Sequence, residues 1–325
     1  MLPRLTIAHM RPRLPIIQGG MAYKVSTGRL AAAVAEAGGI GTIAGTGLTA
    51  QELIREIERA RELTSGYIGV NVLFAVEAFA ELMLTAMREK VDFVASGAGF
   101  SRDMYSWGRD HGVPVVSIVS SARLAVIAQK LGAAAVVVEG KEAGGHLGTD
   151  RPVSEIVPEV VREVGIPVVA AGGIMDGYDI ARMLRLGASG VQMATRFVTS
   201  HECEVHPKFK RMYLSARAED VVLIKSPVGL PGRALRNAFT ESIGGIDRGA
   251  ITSCRRCLKR CSAEFCILDA LRRSVAGDVE GGLVFSGEFV HKVKRAMSVE
   301  EIMSALAREL REALDGPATA ESKGR

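Results

Sequence analysis

Along residues 15–194, short apolar runs alternate with stretches of helical spacing, and each run ends in glycine or a polar residue. The runs are Pro15–Gln18, Ile40–Ala44, Tyr67–Val72, Val91–Ala95, Pro114–Val119, Ala134–Val138, Pro167–Ala171 and Gly190–Ala194. Between them, Thr27–Ala37, Gln51–Leu63, Val76–Arg88, Ser101–His111, Ser121–Leu131, Val153–Val164 and Tyr178–Leu186 carry helical patterns, several closed by glycine. Runs this short and this apolar suit strands buried on both faces. Strict alternation of strand and helix calls for a parallel sheet. Eight such units predict an α/β fold of the (β/α)8 TIM-barrel type, with an open doubly wound sheet as the competitor.

In a barrel, the carboxyl ends of all the strands converge on one mouth, where the reactive groups sit. The richest such end is Val136–Gly148, where a β-branched run stops at Glu139 and a turn of glycine and charge follows. His146 stands in that turn between Gly145 and Gly148, well placed for acid–base work near neutral pH. The alternative is a solvated loop histidine. Ala170–Ile174 and Gln192–Arg196 follow the seventh and eighth runs, where barrels bind phosphate with backbone N–H groups and a helix N-terminus. The glycines there could equally serve only to make turns.

Composition narrows the functional classes. The formal charge is only +5 over 325 residues and is spread along the chain, which argues against a dedicated nucleic-acid binder. No apolar run is long enough to span a bilayer, and Met1–Pro15 lacks the apolar core of a secretory signal. A soluble, cytoplasmic protein with no membrane partner is expected, working as a homodimer.

The motifs resemble the nitronate monooxygenase family, formerly the 2-nitropropane dioxygenases, which includes the flavin-type enoyl-acyl-carrier-protein reductases. The matching stretches are Pro15–Met21, Gly69–Asn71, Glu142–His146, Ala170–Ile174 and Val191–Phe197, with further likeness in Glu202–Lys208 and Gly277–Gly282. The resemblance implies noncovalent FMN at the barrel mouth. Gly20 and Met21 would lie beside the flavin, and Asn71 would contact its ring. Gly172, Gly173, Ala194 and Thr195 would hold its phosphate, with Gln192 close by, and His146 matches the family's catalytic histidine. The implied activity is FMN-dependent oxidation of small nitronates by O2. The alternative is NAD(P)H-dependent reduction of an enoyl thioester on acyl carrier protein or coenzyme A. Glu139 and the His206-Pro207 pair stand closer to the reductases. A third reading is a metal-stabilised binding protein on a retired barrel.

Beyond the barrel, assigned to residues 1–200, a mainly helical extension is expected over 201–315, then a disordered tail over 316–325. Val205–Ala216 reads as a helix, and Ser226–Arg233 as a turn-forming connection rich in proline and glycine. Cys254, Cys257, Cys261 and Cys266 cluster in the extension, and such clustering more often marks a metal than a disulfide in a reducing compartment. An iron–sulfur cluster or a tetrahedral zinc is expected there, offset by Arg255, Arg256, Lys259 and Arg260. The alternative is four reduced thiols. The lone Cys203 reads as a small packing side chain. Ser298–Leu314 is a final helix opened by a Ser298–Glu301 capping box, with Ile302, Leu306 and Leu310 on its docking face.

Overall fold

The computed structural model describes residues 2–243 and 254–315, so the expected disordered tail lies outside the described residues. Eleven strands are present among the described residues. They are β1 (Ile16–Gln18), β2 (Gly41–Ala44), β3 (Ile68–Leu73), β4 (Phe93–Gly97), β5 (Val115–Val119), β6 (Ala135–Glu139), β7 (Gly145–His146), β8 (Val168–Ala171), β9 (Gly190–Met193), β10 (Val221–Lys225) and β11 (Pro231–Leu235). Eight of these form one parallel sheet in the order β1-β9-β8-β6-β5-β4-β3-β2. A parallel bridge between Ile17 and Ile40 joins its two ends. The expected TIM-barrel architecture is present, with helices between successive barrel strands.

The strands owe their position to two-sided burial. Ala135, Val137, Val169, Ala171 and Val116 face the barrel interior, with Leu5, Ile7 and Met10 of the N-terminal segment in the same cluster. Val136, Val138, Val168, Ala170 and Val191 face the helical layer. Strand side chains alternate. Glu139 therefore continues the inward set of β6, as Asn71 does between outward Val70 and Val72, and Gln192 between outward Val191 and Met193. Three polar side chains thus occupy inward positions at strand ends, where the apolar filling of the barrel stops.

The final helix, Val299–Asp315, docks as expected. Ser298 and Glu301 exchange the two capping-box bonds, at 2.7 and 3.1 Å. Ile302, Leu306 and Leu310 are buried, each contributing about 1.5–3 kcal/mol of apolar transfer. Gly177 opens the facing helix, Gly177–Arg185. A Cβ there would lie 2.6 Å from the Leu306 carbonyl oxygen, so only glycine lets the two helices approach this closely. Cys203 is buried as a small side chain, its thiol 3.5 Å from the Val25 carbonyl and pushed up to about 11 by burial.

The extension is less purely helical than its composition suggests. Its β10 and β11 form an antiparallel hairpin around Ser226–Leu230, and β11 also pairs with the two-residue β7. Only the first part of the expected turn-forming stretch turns. Pro231 opens β11, a position that tolerates its missing N–H. Ile224, Ala234, Phe265, Ile267, Ala270 and Leu283 give the extension a small core of its own.

Candidate active site

One cavity of about 780 Å³ opens at the carboxyl ends of the barrel strands, large within the usual range for ligand sites. Gly20, Met21, Asn71, His146, Gly172, Gly173, Gln192, Ala194 and Thr195 all line it. The structure therefore brings together every residue that the barrel motifs single out. Among the four clustered cysteines, Cys257 alone lines the cavity.

The floor is shaped for close approach. A Cβ on Gly20 would lie 2.6 Å from that of Asn71, so the backbone after β1 sits directly against the Asn71 side chain. Gly172 and Gly173 follow β8 with φ of 107° and 70°, a left-handed path that favours glycine. Thr195 opens the short helix Thr195–Val198, and its Oγ1 accepts the Gly287 N–H at 3.2 Å. Opposite them, the Asn71 Oδ1 atom is buried with no hydrogen-bond partner. A buried acceptor without a donor costs about 1–3 kcal/mol unless a ligand N–H or a water meets it. These residues fit a flavin. The orphaned amide oxygen suits a ring N–H, and the glycine turn and helix start suit a phosphate.

The Glu142–Gly148 loop is captured by the extension. Its His146 pairs with Gly232, and Gly145 with Arg233, across the β7–β11 contact. Arg233 reaches back beneath the loop, donating to the Lys141 carbonyl at 2.7 Å and the Ala143 carbonyl at 3.2 Å while pairing with Glu288 at 3.3 Å. Gly144 packs against the 286–287 backbone, where a Cβ would lie 2.8 Å from the Gly287 nitrogen. The His146 ring meets Phe285 edge-on at 5.2 Å, and its Nε2 lies 2.7 Å from the Ser226 Oγ. His146 is thus part of a small sheet, held from both sides.

Two titratable groups on this lining are driven apart. Burial pushes the Glu139 carboxyl up to about 8. Burial also lowers His146 to about 4. Both residues are only half-buried, but the surface they expose faces the cavity, where water is limited. Near neutral pH the carboxyl keeps its proton and the imidazole is uncharged. A pair separated in this way suits acid–base roles.

The expected metal centre is not found. Among the described residues, no group of three or more His, Cys, Asp or Glu side chains is placed to hold a metal ion. Cys254 and Cys261 are exposed, Cys257 and Cys266 are half-buried, and all are free thiols. The physical reason is the path of the backbone. Leu258 bridges Val76 in antiparallel fashion, the Glu77 N–H donates to the Cys257 carbonyl at 3.0 Å, and the Lys259 N–H to the Ala75 carbonyl at 2.9 Å. This extended course strings the first thiols along the barrel mouth instead of winding them around a point. Burial, with the neighbouring thiols of Cys266, Cys261 and Cys254, pushes the Cys257 thiol up. Lys259 likewise fastens the tail, donating to the Phe74 carbonyl at 2.8 Å and lying 3.9 Å from the Phe74 ring centre.

Sequence reasoning missed the contributions of the extension: Ser226, Arg233, Phe285, Gly287 and Phe289. The signal available was the Val221–Ile224 run before a turn rich in proline and glycine, a hairpin pattern.

Comparison with known proteins agrees with the geometry. The profile of the nitronate monooxygenase family matches residues 5–98 and 74–309. The chain is 33% identical over 249 residues to the (3aS,4S,5R,7aS)-5-hydroxy-7a-methyl-1-oxo-octahydro-1H-indene-4-carboxyl-CoA dehydrogenase of Rhodococcus jostii, covering 75% of this chain and 69% of that protein. It is 30% identical over 274 residues to a probable nitronate monooxygenase of Staphylococcus aureus, covering 70% of this chain and 77% of the relative. Among solved structures, FabK from Thermotoga maritima superposes with a TM-score of 0.85 at 35% identity, covering 94% of each chain. No helix among the described residues is long and apolar enough to cross a membrane.

Proposed function

The chain belongs to the nitronate monooxygenase family, and from that premise we propose that it is an FMN-dependent oxidoreductase acting on a carbon activated by a thioester carbonyl. The observation that supports this reading most is the cavity at the strand ends. It unites the flavin-compatible floor (Gly20, Asn71, Gly172, Gly173, Thr195) with His146 and Glu139, and has room left for an extended substrate. Bound FMN would supply hydride transfer to or from the substrate carbon. Asn71 and Gln192 would hold its ring and the two late strand ends its phosphate, while Phe285 and the Glu142–Gly148 loop exclude water from the substrate side.

Redox change at a carbon next to a carbonyl places negative charge on the oxygen and moves a proton. His146, uncharged and fixed at the cavity wall, is the side chain that meets the oxygen. Glu139, which holds its proton at neutral pH, is a proton store on the same wall. Arg255, Arg256 and Arg272 line the tail side of the cavity and suit the phosphates of a coenzyme A or acyl-carrier thioester.

Nitronate oxidation is the second reading, favoured by the family profile and the S. aureus relative. One anaerobic experiment separates the two. The flavin-loaded protein is mixed in parallel with NADH, NADPH, a saturated acyl-CoA, a 3-hydroxyacyl-CoA and a nitronate. Bleaching by a nicotinamide or a thioester supports the thioester reading. Bleaching by the nitronate alone overturns it in favour of the second. Protein that neither carries nor takes up FMN overturns both.

A further inference from the structure

We propose that Ser226 is a positioning residue that fixes His146 as the tautomer with its proton on Nδ1, so that the imidazole offers the substrate a hydrogen-bond donor and not a lone pair. The inference deepens the reading above and rests on it, because it takes His146 as the side chain that meets the substrate.

Hydrogen-bond accounting carries the argument. Ser226 is 3% exposed, and its Oγ lies 2.7 Å from the His146 Nε2. The same oxygen accepts the Val228 N–H at 3.4 Å. A hydroxyl has one proton to give. Among the described residues, the Nε2 lone pair is the one acceptor within reach of that proton. If Nε2 carried the ring proton instead, the serine oxygen would accept two N–H groups and its own proton would be buried without a partner, a costly arrangement. The satisfied arrangement has Ser226 donating to Nε2, which leaves the ring proton on Nδ1.

Among the described residues Nδ1 makes no hydrogen bond, and it is not among the buried atoms lacking a partner, so it keeps open space beside it in a residue that lines the cavity. The ring cannot easily turn away. Its backbone pairs with Gly232, the Leu147 N–H donates to the Pro231 carbonyl at 2.9 Å, and Phe285 meets the ring in a T-shaped contact. Burial, which lowers the imidazole to about 4, is consistent with this: a ring so hard to protonate is a poor base at neutral pH. A fixed N–H aimed at the oxygen where charge builds is the better use of it. The hairpin therefore sets the chemical role of a residue that the barrel loop supplies.

The test reads the tautomer directly. Protein with 15N-labelled histidine, loaded with FMN, is examined by two-dimensional NMR at neutral pH, with His146 assigned by the signals missing from His146→Gln. A proton-bearing Nδ1 and a bare Nε2 are expected. Ser226→Ala should shift the ring toward the Nε2–H form and lower kcat roughly tenfold, the weight of one hydrogen bond, with FMN content unchanged. Ser226→Thr, which keeps the hydroxyl, should restore both. A proton on Nε2 in the unaltered protein overturns the proposal. So does a Ser226→Ala variant whose tautomer moves while kcat stays at the starting level. Failure of the underlying reading looks different: His146→Gln would then turn over thioester as fast as the starting protein, whatever the tautomer.

Discussion

The two halves of the cavity are built on different principles. The barrel half is made of backbone and short side chains at strand ends: Gly20, Gly172, Gly173, Ala194 and Thr195, with Asn71, Glu139 and Gln192 at inward register positions. The extension half is made of side chains that reach the site from far along the chain. Ser226 lies 80 positions from His146, and Arg233 lies 90 from Ala143, whose carbonyl it holds. The first half offers a surface onto which a flat, phosphorylated cofactor can settle. The second fastens and orients the one loop that carries the histidine. Shape comes from the repeat, and the setting of His146 comes from outside it.

Four variants put that contrast under strain. The largest effect is expected at the point where the halves meet. His146→Ala should lower turnover by roughly 10²-fold, the usual weight of a lost hydrogen-bond donor to a developing oxyanion, while FMN content holds, because the flavin-compatible residues lie on the barrel half. Steady-state rates beside the absorbance of bound flavin measure both. Turnover near the starting level would remove His146 from the chemistry.

Next comes Arg233→Met, which keeps the length of the side chain and removes its grip on the Lys141 and Ala143 carbonyls and on Glu288. Stability should drop by about 2 kcal/mol, since hydrogen bonds to a charged group carry more weight than neutral ones, and kcat should fall several-fold with flavin affinity unmoved. A variant that loses FMN instead would show that the extension also shapes the barrel half.

A smaller effect is expected from pH. Glu139 is held at about 8 against an ordinary value of 4.5, so between those values the native chain keeps a proton that the unfolded chain has released. Stability therefore falls as pH rises through that window. His146, lowered to about 4 from 6.5, acts in the opposite sense below pH 6.5, where the unfolded chain takes up a proton and stability falls as pH drops. Above about pH 6.5 Glu139 acts alone. The melting temperature should decline from there to pH 8, and Glu139→Gln should flatten that arm. An unchanged slope in the variant would show that Glu139 is ionised like an ordinary carboxylate.

The smallest effect belongs to the cysteines. Replacing Cys254, Cys257, Cys261 and Cys266 together by serine should change stability by no more than about 0.5 kcal/mol per site, the range for surface positions, because backbone bonds and Lys259 fasten that segment. Collapse of the fold in chemical denaturation would show that the thiols hold more than themselves.

How much of this was legible follows the same divide. The barrel half could be read because alternation forces it: once Val136 and Val138 face the helices, Glu139 has no face left but the inside. The glycines after β8 could be read because a left-handed path leaves a residue-type signature. The extension half could not, because nothing in Ser226 or Phe285 marks a partner so many positions away, and pairing with a two-residue strand leaves no periodicity. The cysteines misled for a related reason. Close spacing in sequence measures contour length, whereas a ligand set needs the chain to curl, and the bridge to Val76 keeps it extended.

The β7–β11 pairing also orders events in time. A chain leaving the ribosome presents its earlier elements first, so all eight barrel strands emerge before any of β11 exists. During that interval the histidine loop has neither its sheet partner nor its serine. A nascent barrel can thus close before the loop that carries His146 is fixed, and that fixing waits for the hairpin.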